Sequence, residues 1–225
     1  MNDTVLLVYE GEKTEVQIHE NMKSVFFDSL TNSTILHAVY CGEIYQLYRQ
    51  VKLDADLDLL ELLRERNSKN RDNLAGIERK NISQVYLFFD VEQHAPNVLS
   101  ADEIQKMVNF FDNETERGKI YLSYPMVEAV RDCMKDEAKC HDSCIVKTDD
   151  NVRYKAFVGA KIDFMHIKKF TRDDWLYLAY RNIEKSCCIL FKKPLLPDYS
   201  GFFPVTQAAI CKSGVPVNVT AALEK

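Results

Sequence analysis

Thr4-Val5-Leu6-Leu7-Val8-Tyr9-Glu10-Gly11-Glu12-Lys13-Thr14-Glu15 is the stretch from which the fold of this chain is read. Its apolar half reads as a short buried strand, and its second half as a tight acidic junction leading into a helix. Gly11 tolerates a backbone path that a side chain would block, so Glu-Gly directly after the apolar run marks a strand entering a turn. Glu10 stands at the carboxyl end of that strand and Glu15 about one helical turn beyond the glycine, so both carboxylates can face one pocket. A second apolar run, Gln84-Val85-Tyr86-Leu87-Phe88-Phe89, ends the same way in Asp90-Val91-Glu92. Two strands that discharge acids at their carboxyl ends predict one acidic site at the edge of a parallel sheet, where open α/β folds place their ligands.

Working outward, apolar spacing predicts a helix over 14–30, a strand over 34–40, and helices over 43–51 and 54–65. The polar stretch 67–81 reads as a surface connection or weak helix. Ser100 and Glu103 have the spacing of a capping box for a helix reaching Phe111, and 119–123 is a further strand. Pro125 suits the first position of a helix, because its missing N–H would be an orphan there. Glu128, in the apolar first turn that follows, gains from that place only if it faces something polar or cationic. Past Asp132 the pattern is less regular, with helices expected near 175–184 and 204–212. The expected division is an α/β domain over 1–130 and a mixed, mostly helical elaboration over 131–225.

A chain of 225 residues, 46% of them apolar, can bury a real core. The formal net charge of −5 argues against an indiscriminate coat for nucleic acid without excluding an enzyme that acts on it. Met1-Asn2-Asp3 has no basic leader character, and no apolar run approaches the ~20 residues of a membrane span, so a cytoplasmic protein with no membrane partner is expected. The seven cysteines, an odd number scattered among charged segments, read as reduced thiols. Cys133, Cys140, His141, Cys144, Cys187 and Cys188 include only one pair at zinc-ligand spacing, and small buried thiols are the commoner reading, so zinc is not expected. Arg153, Lys155, Lys161, Lys168, Lys169 and Arg172 interleave with Tyr154, Phe157, Phe164, Phe170 and Trp175. That pattern offers a phosphate-backbone surface with stacking aromatics, or a small core with the lysines as its solvated face; the core is favoured for most of the aromatics. No phosphate-loop, zinc-protease, esterase or dinucleotide fingerprint is present.

The constellation that carries chemistry is Glu10, Glu15, Asp90 and Glu92, with Glu128 as a further member. Magnesium or manganese takes oxygen ligands and keeps several waters, so a few strand-end carboxylates suffice, and a cation relieves their mutual repulsion. Lys13 is placed to meet a phosphate at a helix N-terminus, His94 to bind phosphate or assist proton transfer, and Gly11 to set the backbone path.

An apolar strand, Glu10-Gly11-x-x-x-Glu15, and about seventy-five residues later a strand ending in Asp90-Val91-Glu92, resemble the Toprim domain of topoisomerases, bacterial primases and related nucleases. The spelling Glu-Gly-Glu-Lys-Thr-Glu looks closest to compact Toprim-like proteins of bacterial anti-phage defence, the RloB-like group, and Tyr124-Pro125-Met126-Val127-Glu128 resembles that group's acidic helix start. The resemblance covers about residues 4–130. It implies a compact parallel sheet flanked by helices, with magnesium or manganese held by Glu10, Asp90 and Glu92 and with Glu15 and Glu128 as further ligands or orienters of water. Glu92 stands where the family has Asp, a ligand arm longer by one methylene. The expected activity is phosphodiester hydrolysis in DNA or RNA, with a partner protein from the same defence system. The alternatives are a catalytically inactive sensor or interaction protein, and an enzyme acting on a small phosphorylated ligand or nucleotide.

Overall fold

The computed structural model describes residues 4–26, 35–54, 57–91, 99–123, 127–132, 151–161, 163–191, 207 and 209. The chain is α/β, with a mostly parallel sheet flanked by helices. Its strands are β1 (Thr4–Tyr9), β2 (Ile35–Tyr40), β3 (Ile82–Asp90), the two-residue β4 (Asp112–Asn113) and β5 (Gly118–Ser123), in the order β2-β1-β3-β5-β4. The helices are α1 (Thr14–Phe26), α2 (Ile44–Leu53), α3 (Leu59–Arg66), α4 (Ser68–Asn73), α5 (Ala101–Phe110), α6 (Asn151–Gly159) and α7 (Arg172–Phe191). None of them, among the described residues, is long and apolar enough to cross a membrane.

β1 is the organising strand. It pairs in parallel with β2 from Thr4↔Ile35 to Tyr9↔Tyr40, and with β3 up to Tyr9↔Phe88. Leu6, Val8 and Tyr9 are buried while Val5 and Leu7 are half-buried, so neither face is left to water, as parallel sheets require. β3 repeats the pattern with Ile82, Val85, Leu87 and Phe89 inward. Each fully buried aliphatic side chain of this kind contributes about 1.5–3 kcal/mol. The chain leaves β1 for β2 on one side, whereas β3 lies on the other and leads on toward β5. The connections after β1 and β3 therefore diverge, which makes their carboxyl ends a topological switch point.

Two compact units divide the chain: Met1–Phe89 with Lys106–Ile120, and Asp90–Gln105 with Tyr121–Lys225. In the first unit α2 buries Ile44, Tyr45, Leu47, Tyr48 and Val51, a stripe at helical spacing, and Tyr48 meets Phe110 and Phe111 edge-on. The helix expected from 54 begins at Leu59, because Asp58 accepts the Leu60 N–H at 2.8 Å and so acts as its N-cap. The stretch beyond it holds the short α4, capped by Asn67, whose side chain accepts from Asn70 N. Arg79 then donates to the carbonyls of Ile82, Thr115 and Glu116, and so clasps the β4–β5 hairpin.

In the second unit Ser100 and Glu103 form the expected capping box. Instead of the α-helix expected after Pro125, residues Val127–Arg131 make a single 3₁₀ turn; Tyr124, Pro125 and Met126 lie outside the described residues. α6 forms where the sequence reads as irregular. α7 spans both sides of the stretch expected near 175–184, starting from a Thr171–Asp174 reciprocal cap. Of the helix expected at 204–212, Gln207 and Ala209 are described and helical, and Gln207 accepts the Leu122 N–H at 2.6 Å.

Gly118 opens β5 at φ +98°, and a Cβ there would lie 3.2 Å from Val85 Cγ1. Gly118→Ala should lower the unfolding free energy by about 1–3 kcal/mol, read from urea denaturation. His19 on α1 meets the Tyr9 hydroxyl at 3.5 Å, and its pKa lies below the usual 6.5, first through burial and then through Lys23, with Glu20 opposing. The unfolded chain therefore takes up this proton more readily. The stability held by neutral His19 is complete above about pH 6.5 and is lost as pH falls from there through the folded-state value. His19→Gln should flatten the curve of unfolding free energy against pH between about 7 and 5.

Candidate functional site

Glu10 follows β1 directly, and its N–H continues the ladder by donating to Phe88 O at 3.2 Å. On the other side Cys41 N donates to Tyr9 O at 2.9 Å, so the backbone from which Glu10 projects is pinned on both flanks. Glu10 is half-buried. The sequence places Glu15 near the same junction, and the structure shows how: a Cβ on Gly11 would stand 2.9 Å from both Glu15 carboxylate oxygens. The carboxylate folds back over the glycine from the first turn of α1, where a negative charge is favoured by the helix dipole. Gly11 thus permits a close approach as well as a turn. Lys13 is exposed beside this loop, and Glu12 is paired with Lys69 of α4 at 2.8 Å.

Cys41 and Arg66 were not singled out in the sequence. Burial pushes the Cys41 thiol up to about 11; the charge of Arg66 opposes this and that of Glu10 adds to it. The signal for Arg66 was hidden in the charged run 64–72, which reads as an ordinary solvated face.

Asp90 is the half-buried last residue of β3, two positions beyond the register partner of Tyr9. Glu92 and His94 lie outside the described residues, as do Cys133, Cys140, His141 and Cys144.

Glu128, in the second unit, has the cationic neighbour its apolar turn demands. Its carboxylate, 4% exposed, is 3.2 Å from the Lys155 ammonium of α6, which is 68% exposed. Asp132, four residues on, is the hub of a buried polar group. Its carboxylate meets Lys161 Nζ at 2.7 Å and accepts from the Tyr154 hydroxyl at 2.9 Å, while its carbonyl accepts from Lys185. Asn182 of α7 donates to Val130 O at 3.2 Å in the same turn. Lys161 is therefore a buried ion-pair partner, which corrects the expectation that these lysines are all solvated: Asp132 supplies the counter-charge that lets it leave water. Tyr154, Phe164, Phe170 and Trp175 are core residues, as favoured, while Phe157 is exposed.

Glu10, Glu15 and Asp90 are half-buried carboxylates, and carboxylate oxygen is the kind of ligand a hard cation takes. Among the described residues no group of three or more His, Cys, Asp or Glu side chains is gathered closely enough to hold a metal ion. Cys187 is buried and Cys188 half-buried, and both thiols are pushed up in pKa, first by burial. Comparison of the chain with protein-family models, curated proteins and solved structures found no match.

Removing the Asp132 carboxylate leaves the Lys161 ammonium buried without its counter-charge. Asp132→Ala should cost about 3–5 kcal/mol in urea unfolding, and the double variant with Lys161→Met should recover a substantial part of that loss.

Proposed function

We propose that this chain is a divalent-metal-dependent phosphodiesterase acting on DNA or RNA, built on a Toprim-like domain and serving bacterial anti-phage defence. The observation that carries the reading is the position of Glu10. It emerges from the central strand at the switch point, its backbone bonded to β3, the strand that runs on to Asp90. In this reading Glu10, Asp90 and Glu92 hold magnesium or manganese. When bound, such an ion polarises a phosphoryl group and lowers the pKa of water.

The protein's own contribution is positional. The ladder on both sides of Tyr9 fixes the origin of the Glu10 side chain, and the Glu15 carboxylate, folded over Gly11, is placed to orient water. Lys13, exposed at the start of α1, and His94 are assigned to the phosphate. Glu128 takes a supporting role, because Lys155 already balances its charge.

That ion pair favours a second reading, a metal-free interaction protein in which the acids are structural. Calorimetric titration with Mn²⁺ and a cleavage assay on labelled DNA and RNA separate the two. The expected result is metal binding and cleavage by the native chain, with both abolished in Glu10→Gln while the circular-dichroism spectrum and unfolding midpoint are retained. Undiminished cleavage by the purified variant defeats the assignment, and no Mn²⁺ binding by the native chain at millimolar metal favours the second reading.

A further inference from the structure

We propose that Arg66 is a phosphate-binding residue, held ready beside the strand end that carries Glu10. Arg66 closes α3, and its two terminal nitrogens donate to Gln46 Oε1 at 2.6 Å and Gln50 Oε1 at 2.7 Å, one turn apart on α2. Both acceptors are neutral amides. The brace fixes the plane of the guanidinium without cancelling its charge, and it occupies only part of the N–H fork.

Three other cations of the same unit are matched with carboxylates, and Arg79 is taken up by three carbonyls around the β4–β5 hairpin. Arg64 pairs with Glu61, Lys69 with Glu12 and Lys80 with Glu78. Arg66 has no carboxylate in ion-pair contact among the described residues. A guanidinium whose geometry is set by amides keeps its charge available for a ligand, and a planar fork matches the oxygens of a phosphate.

Its surroundings point the same way. α3 and α4 both pack against β2, and Asn67, the residue after Arg66, caps α4 and fixes the corner between the two helices. Three residues past Arg66, Lys69 grips Glu12 of the Glu10–Lys13 loop, so this corner lies against the acidic junction itself. Half-buried Arg66 is open to a solute. The site takes a phosphoryl group, free or carried by a nucleotide chain. It rests on the proposed phosphodiesterase reading only for the identity of that phosphate, since binding to Arg66 needs no metal.

The test is phosphate binding in metal-free buffer containing a chelator. Inorganic phosphate, a nucleoside monophosphate and a short oligonucleotide are each titrated at constant ionic strength and followed by calorimetry, with NMR shifts of the Arg66 side chain recorded in the proteins that keep it. The native chain is expected to bind, and Arg66→Gln to bind at least about tenfold more weakly. The decisive variant is the pair Gln46→Glu and Gln50→Glu. It retains the tie between α2 and α3 but sets two carboxylates against one guanidinium, which more than cancels its charge, so phosphate binding should fall at least as far as in Arg66→Gln while the unfolding midpoint is kept or raised.

Equal binding by the native and doubly substituted proteins would show that Arg66 merely ties two helices together and would overturn the proposal, as would no binding by the native chain. If Arg66→Gln fails to fold, the glutamate pair decides. Stronger binding of the oligonucleotide than of inorganic phosphate identifies a polynucleotide source, and equal binding a free phosphate. A chain that binds phosphate through Arg66 yet shows no Mn²⁺-dependent cleavage sinks the phosphodiesterase reading alone.

Discussion

The hydrogen-bond ladders on the two sides of β1 are the constraint on which the first unit depends. A strand paired on both flanks has no freedom of register, because a slip of one residue would turn Leu6 and Val8 away from the core. Those ladders continue past the strand through Cys41 N and Glu10 N, so the first residues of the acidic junction inherit the rigidity of the sheet. Glu10 therefore projects from backbone that is hydrogen-bonded on both flanks. The same pinning bears on Gly11: with the strand end fixed and α1 starting at Thr14, the Glu15 carboxylate lies over a residue without a side chain.

The second unit is held by a different kind of force. Among its described residues past Ser123 every regular element is helical, and around Asp132 its turn, α6 and α7 are joined by buried charges as well as apolar packing. Buried ion pairs offset their desolvation only when the geometry is good and the remaining polar atoms are satisfied. Asp132 meets that condition with Lys161, Tyr154 and Lys185 as partners. The turn at 127–132 is consequently fixed through its polar atoms, and Ala129 packs with Tyr154 and Val158 between those contacts.

Strands and amphipathic helices were legible wherever burial imposed a period. The parallel sheet could be read from two apolar runs ending in acids, and α5 from the Ser100–Glu103 spacing. The start of α3 is not legible from the leucine pattern, which begins before Asp58, and only the cap shows which turn closes first. α6 leaves no period in the sequence because its core-facing and solvent-facing residues are both aromatic: Tyr154 is buried and Phe157 exposed, which erases the helical signal. Of the candidate site, the acids at strand ends are visible, since Glu10 and Asp90 each follow directly on an apolar run. Partners brought from distant segments are not. Lys155 for Glu128, Lys69 for Glu12 and the Gln46–Gln50 brace on Arg66 are all products of packing.

The two units treat charge in opposite ways. Asp132 and Lys161 sit at 7% and 8% exposure and neutralise each other, an arrangement that stabilises packing and leaves nothing for a ligand. At the strand edge of the first unit the arrangement is reversed: Glu10 and Arg66 are half-buried, and the guanidinium is braced by amides where a carboxylate would have given a stronger tie. If the tie between α2 and α3 were the only requirement, Glu at 46 or 50 would serve it better than Gln. Keeping both positions neutral preserves a cation beside an acidic junction, which is what the proposed phosphate site requires.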